Sequence, residues 1–75
     1  LIEFSLYQND HIQISIYDIR GKLINILVDK YYLNGSHFIE WNGKNQRGKD
    51  VPSGIYIYQI SNSNRMQSKK MTLLR

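Results

Sequence analysis

Two histidines, six carboxylates, one tryptophan and two close pairs of tyrosines are the residues of this 75-residue chain whose types could do chemistry. A metal site needs several ligands at short, defined spacing, and His11 and His37 stand far apart with no such spacing between them. A glycosidase-like acid–base pair needs two carboxyl groups flanking one bond. Glu3, Asp10, Asp18, Asp29, Glu40 and Asp50 are instead dispersed, and Glu40 alternates with Ile39 and Trp41, which points it to solvent. Serines fall mostly in turns or on strand exteriors, and no nucleophile-elbow motif surrounds any of them. The stretch Asn42–Asp50 superficially resembles a calcium loop. Calcium wants several carboxylates, and this loop offers Asp50 alone amid Lys44, Arg47 and Lys49, so it reads as a double turn permitted by Gly43 and Gly48. The expectation is a chain without catalytic residues, metal or cofactor.

The tyrosines offer a different chemistry. Tyr56 and Tyr58 are two apart and share one face of a strand, where they could stack on a sugar or a base. Beside Trp41 they read rather as core or sandwich-edge residues, with their hydroxyls finding polar partners. Tyr31-Tyr32 falls in a predicted loop and is the more exposed pair. A carbohydrate-binding sandwich using Tyr31, Tyr32 or Tyr58 is therefore one function to carry forward.

The elements that must position these residues are strands. Ile2, Phe4 and Leu6 alternate with Glu3 and Ser5, and Ile12, Ile14 and Ile16 alternate with Gln13, Ser15 and Tyr17. Period-two alternation of this kind marks half-buried strands. Gly21 can take positive φ at no steric cost and closes a tight hairpin after Asp18. Lys22–Val28 is apolar except for Asn25, a phase that admits a short helix as rival to a strand. Asn34-Gly35 is a turn signal, after which His37, Ile39 and Trp41 alternate in a further strand. Asn42–Gly54 is a long polar connection containing the only proline. Ile55–Ile60 is the strongest strand, β-branched and aromatic almost throughout. Ser61–Arg65 is a turn, and Met66–Leu74 is the last strand. Six or seven short strands separated by turns give an all-β sandwich.

Length and charge bound the rest. Seventy-five residues make one small domain with a thin core. The absence of cysteine removes disulfides and thiolate chemistry, and no apolar run approaches the roughly 18 residues of a membrane-spanning helix. The opening Leu1-Ile2-Glu3-Phe4 has no initiating Met and no signal peptide, and reads as the start of an excised piece of a longer protein. Residues 1–41 hold three bases and five acids, net −2, whereas residues 42–75 hold seven bases and one acid, net +6. The bases are scattered over turn and strand rather than clustered. That favours a solvated basic face over a nucleic-acid site.

Ile2-Glu3-Phe4-Ser5-Leu6, Ile14–Leu23 with Gly21, Gly35-Ser36-His37, Trp41-Asn42-Gly43, Gly48, Val51–Tyr58 with Gly54, Tyr56 and Tyr58, and Lys69–Arg75 with Lys70 follow one another in an order and spacing that resembles a known pattern. It is similar to the FlgD-type immunoglobulin-like domain and the closely related C-terminal sorting domain of type IX secretion, over nearly the whole chain. The family's stretch Pro-Asn-Pro-Phe ahead of the first strand is missing, and Asn42 stands where the family often has Asp. The resemblance implies a small immunoglobulin-like β-sandwich of about seven short antiparallel strands. It implies a non-catalytic address, at the C-terminus of a secreted bacterial protein, that carries cargo across the outer membrane to the surface or the medium. Its partners would be the secretion machinery or neighbouring domains of the parent protein. Gly21, Gly35, Trp41, Gly43, Gly48, Gly54, Tyr56, Tyr58 and Lys70 would be its signature, structural or sorting. A structural accessory module, hook-cap-like or a spacer, is the alternative.

Overall fold

The computed structural model describes residues 1–75 and consists of strands, turns and short connections, with no helix. The strands are β1 (Ile2–Leu6), β2 (Asp10–Asp18), β3 (Leu23–Tyr32), β4 (Gly35–Ile39), β5 (Gly54–Ser61) and β6 (Met66–Leu73). β1 and β4 form one antiparallel sheet; the other runs β3-β2-β5-β6, also antiparallel. The two sheets make a small β-sandwich of six strands, at the lower end of the six or seven expected.

β2 is, with β5, one of the two inner strands of the larger sheet, and its alternation is the cleanest. Ile12, Ile14 and Ile16 all face the small sheet, and the last two are completely buried. Fully burying one such side chain stabilises by about 1.5–3 kcal/mol. Ile2, Val28, Tyr32, Val51 and Tyr56 complete the core, with Phe4, Leu6, Ile39 and Trp41 packed against it.

β3 resolves the ambiguous segment 22–28 as a strand. Its phase is broken because Leu27 and Ile24 are extra residues relative to β2. The register slips between Ile14 and Ser15 and again between Ile16 and Tyr17. Each bulge turns an additional side chain toward the core, so an unbroken apolar run still fits a strand. Two boundaries differ from expectation. Tyr31 and Tyr32 lie in β3, not in a loop: they pair with His11 and Asp10 at the start of β2, and the β-favouring aromatic pair carries the strand past Asp29-Lys30. Tyr32 is buried, its ring 5.2 Å from Phe4 and 4.8 Å from His37, both edge-on, while Tyr31 is exposed. Trp41 lies just beyond β4, because its indole N–H turns to the Lys44 carbonyl at 2.9 Å instead of continuing the strand.

Asparagine and aspartate build the turns. The Asp18 carboxylate accepts the N–H groups of Arg20 and Lys22, both at 2.9 Å, at the β2–β3 hairpin. The Asn62 side-chain oxygen accepts those of Asn64 (2.8 Å) and Arg65 (2.7 Å) at the β5–β6 hairpin. The Asn45 oxygen accepts those of Arg47 (2.9 Å) and Lys49 (3.0 Å) inside the long connection. In each case a short side chain mimics the backbone acceptor that a tight turn lacks.

Candidate functional site

The connection from β4 to β5 is a structured loop rather than a loose polar link. Lys44 and Asp50 form an isolated antiparallel bridge, and Val51 donates its N–H to the Gly43 carbonyl at 3.0 Å. The Lys44 carbonyl uses both lone pairs, one for the Trp41 indole and one for the Asn25 amide, each at 2.9 Å. Asn25, the one polar residue in its stretch of β3, therefore ties the loop to the sheet. Gln46 adds a second tie by donating its N–H to the Ile24 carbonyl at 3.1 Å. The Trp41 ring packs edge-on against Tyr56 at 5.0 Å, and the Tyr56 hydroxyl donates to the Pro52 carbonyl at 2.7 Å.

Arg75 clasps this loop from the far end of the chain. Its guanidinium donates to the carbonyls of Gly43 and Val51 and lies 3.5 Å from the Asp50 carboxylate. Its backbone N–H donates to the Ser53 hydroxyl at 3.0 Å. The Lys44 ammonium, hydrogen-bonded to Asp50 at 2.9 Å, holds that carboxyl below the ordinary carboxylate range, and the charge of Arg75 adds to the effect. Gly43 is buried under this clasp with φ of +75°; a Cβ there would meet the Arg75 guanidinium at 2.7 Å.

β6 is the other distinctive surface. It pairs with β5 in one uninterrupted register from Gly54↔Leu73 to Ser61↔Met66, and its outer edge is unpaired. Lys70 sits opposite Ile57 and points outward; Lys69 sits opposite Tyr58 and points toward the inner side. Of the seven bases in the second half, only Lys44 and Arg75 meet a carboxylate; Arg65, Lys69 and Lys70 have no ionic partner. The opposite edge, β3, is bulged twice and fastened by the loop at Ile24, so the two edges of the larger sheet are not equivalent.

The expected signature residues divide by place. Trp41, Gly43 and Tyr56 come together at the clasp, and Tyr58 is half-buried on the inner face of β5. Gly21 and Gly48 stand in exposed turns, with Gly35 and Gly54 at the starts of β4 and β5. Lys70 is exposed on β6. The clasp itself is not legible in the sequence, since Arg75 reaches back 24 residues to Val51 and 32 to Gly43, spacings that no local pattern marks. His11 pairs with Asp29 at 2.5 Å on the surface, and His37 stacks on Phe4 at 5.2 Å while its Nε2 meets the Leu33 carbonyl at 2.7 Å. No cluster of three or more histidine, cysteine or carboxylate groups could hold a metal ion. No helix is long and apolar enough to cross a membrane.

Comparison with known families adds one finding. The profile of a family described as "Secretion system C-terminal sorting domain" matches residues 1–73. No curated protein and no solved structure matches the chain.

Proposed function

Because the chain belongs to the secretion-system C-terminal sorting domain family, we propose that residues 1–75 act as one C-terminal domain that directs a longer secreted protein across the bacterial outer membrane, with β6 as the strand the machinery engages. Membership makes the parent a secreted or cell-surface-attached bacterial protein of the type IX route. Sorting domains are in general non-catalytic, which accords with the dispersed polar residues described above. The two-sheet antiparallel architecture supports reading the fold as immunoglobulin-like, of FlgD type.

The observation that carries the proposal is the contrast between the two edges of the larger sheet. Edge strands are commonly blunted by bulges or covered by loops, and β3 is treated in both ways. β6 is regular, uncovered and carries the unpaired cations Lys69 and Lys70 at its middle. Two copies meeting edge to edge at β6 would bring like charges together, whereas a complementary acidic strand could add to it. Fusion of this chain to a fluorescent cargo in a host with type IX secretion, followed by fractionation, tests the reading. Cargo is expected in the medium or on the surface, and in the periplasm when both lysines become glutamate in a chain that still folds. Export unaffected by Lys69→Glu/Lys70→Glu would refute β6 as the engaged strand.

One observation favours a second reading. Ile55, Leu23 and Ile26 are exposed on the outer face of the larger sheet, an apolar surface on which a neighbouring part of the parent protein could pack. In that structural role the fusion would fold yet stay periplasmic with both lysines intact.

A further inference from the structure

The two sheets are unequal, and the inequality leaves a groove. Two strands cover four, so the inner face of the larger sheet is only partly roofed. The open part is a groove of about 500 Å³ between β1 and β6. Its β1 wall is formed by the consecutive residues 3–7, its floor by Ile12, Tyr58 and Ile60, and its far wall by Gln67 and Lys69, with Arg65 at one end. β1 is hydrogen-bonded to β4 alone, so its second edge carries unpaired backbone groups.

We propose that this groove is a strand acceptor. It takes an extended segment of a partner polypeptide, added beside β1 as a third strand of the small sheet. Apolar side chains of that segment rest on Tyr58 and Ile60, and a carboxylate faces Lys69 and Arg65.

Three features select this occupant. The first is the wall. Unpaired N–H and C=O groups along β1 are satisfied by another extended backbone at the ordinary inter-strand spacing of about 4.8 Å, and a helix or a compact small molecule cannot pair with them in series. The second is length. Five residues of β1 span roughly 17 Å at about 3.3 Å per residue, which sets the paired part of the incoming segment at about five residues.

The third feature is charge. Lys69 is on the inner face of β6, and neither it nor Arg65 has a carboxylate partner in the chain. Of the acids at the groove, Asp10 is engaged by the His11 N–H and the Ser63 hydroxyl, and Glu3 lies on the outward face of β1. A second copy of this chain is the poorer occupant: it brings a net charge of +4 to a basic wall, and its own free, regular edge, β6, carries Lys69 and Lys70 rather than a carboxylate. The proposal is independent of export, because the binding is a property of the chain in solution.

The test uses two capped seven-residue peptides of alternating valine and threonine, identical except for a central glutamate or lysine. Each is titrated into the 75-residue chain and followed through its amide NMR shifts. The glutamate peptide is expected to bind at least tenfold more tightly, moving the amides of β1, Tyr58, Ile60 and β6. Lys69→Glu reverses the preference, and Arg65→Gln weakens it. Lys70→Glu, on the outward face, leaves it in place. The proposal is overturned if neither peptide binds at millimolar concentration. Equal affinity of the two peptides, unchanged by Lys69→Glu, overturns it as well. So do shifts of the same amides that depend on protein concentration without peptide, which would make a second copy the occupant.

Discussion

Two glycines with nearly the same backbone serve different ends. Gly43 and Gly48 have φ of +75° and +79°, a region that costs an L residue roughly 1–2 kcal/mol. Nothing lies within 4 Å of a Cβ built on Gly48, whereas one built on Gly43 meets the Arg75 guanidinium at 2.7 Å and Leu73 at 3.3 Å. Gly48→Ala should therefore lose about 1 kcal/mol of stability in urea unfolding, and Gly43→Ala about 2–3 kcal/mol, the excess being the displaced clasp. In an Arg75→Ala background most of that excess should vanish, because the nearest group has gone and only the Leu73 contact at 3.3 Å remains. Equal losses for the two glycines in the native background would show that Arg75 yields freely and clasps nothing.

At the scale of elements, the legible parts are those where one residue type decides alone. Alternation of apolar with polar residues in β1 and β2 places both strands and their buried faces, and Asn34-Gly35 and Gly21 place turns. The illegible parts are those where distant groups decide. The helix–strand ambiguity of 22–28 arises because two bulges in β3 send Leu27 and Ile24 inward against the period. Asn25 looks like a flaw in that segment until the Lys44 carbonyl nineteen residues later is seen to accept its amide. Tyr32 is read as loop because the residues that bury it, Phe4 and His37, come from the other sheet. The basic character of the last strand was visible in sequence, but its standing as the free, regular edge required the topology. The hairpins make a prediction of their own. Asp18 supplies acceptors for two backbone N–H groups, so Asp18→Ala should cost about 1–2 kcal/mol in urea unfolding, and Asp18→Asn, which keeps the acceptor, should recover most of that. Equal losses from both would place the effect in the charge rather than in the turn.

For the whole molecule, the weak point is the thinness of the core. Eight buried apolar residues hold 75 together, and a chain of this size has only a few kcal/mol to lose. The end of the chain is part of what holds it, since Arg75 joins the end of β6 to the loop at Gly43, Val51 and Ser53. Removing Leu74 and Arg75 takes away those hydrogen bonds and leaves the Gly43 and Val51 carbonyls without their partner, a loss of about 2 kcal/mol. At roughly 4–8 °C per kcal/mol for a chain of this length, Tm should fall by about 10 °C. The consequence reaches the assay of function. A cargo that fails to leave the cell after C-terminal truncation has lost stability and the end of β6 together, so the deletion cannot separate folding from recognition. Lys69→Glu/Lys70→Glu does separate them, because both side chains are exposed and free of ion pairs, and surface substitutions of this kind stay within about 0.5 kcal/mol. Differential scanning calorimetry of the two variants beside the native chain checks the argument. The truncation should melt early and the charge reversal at nearly the native temperature. A truncation that melts with the native chain would mean that the Arg75 clasp adds nothing to the fold.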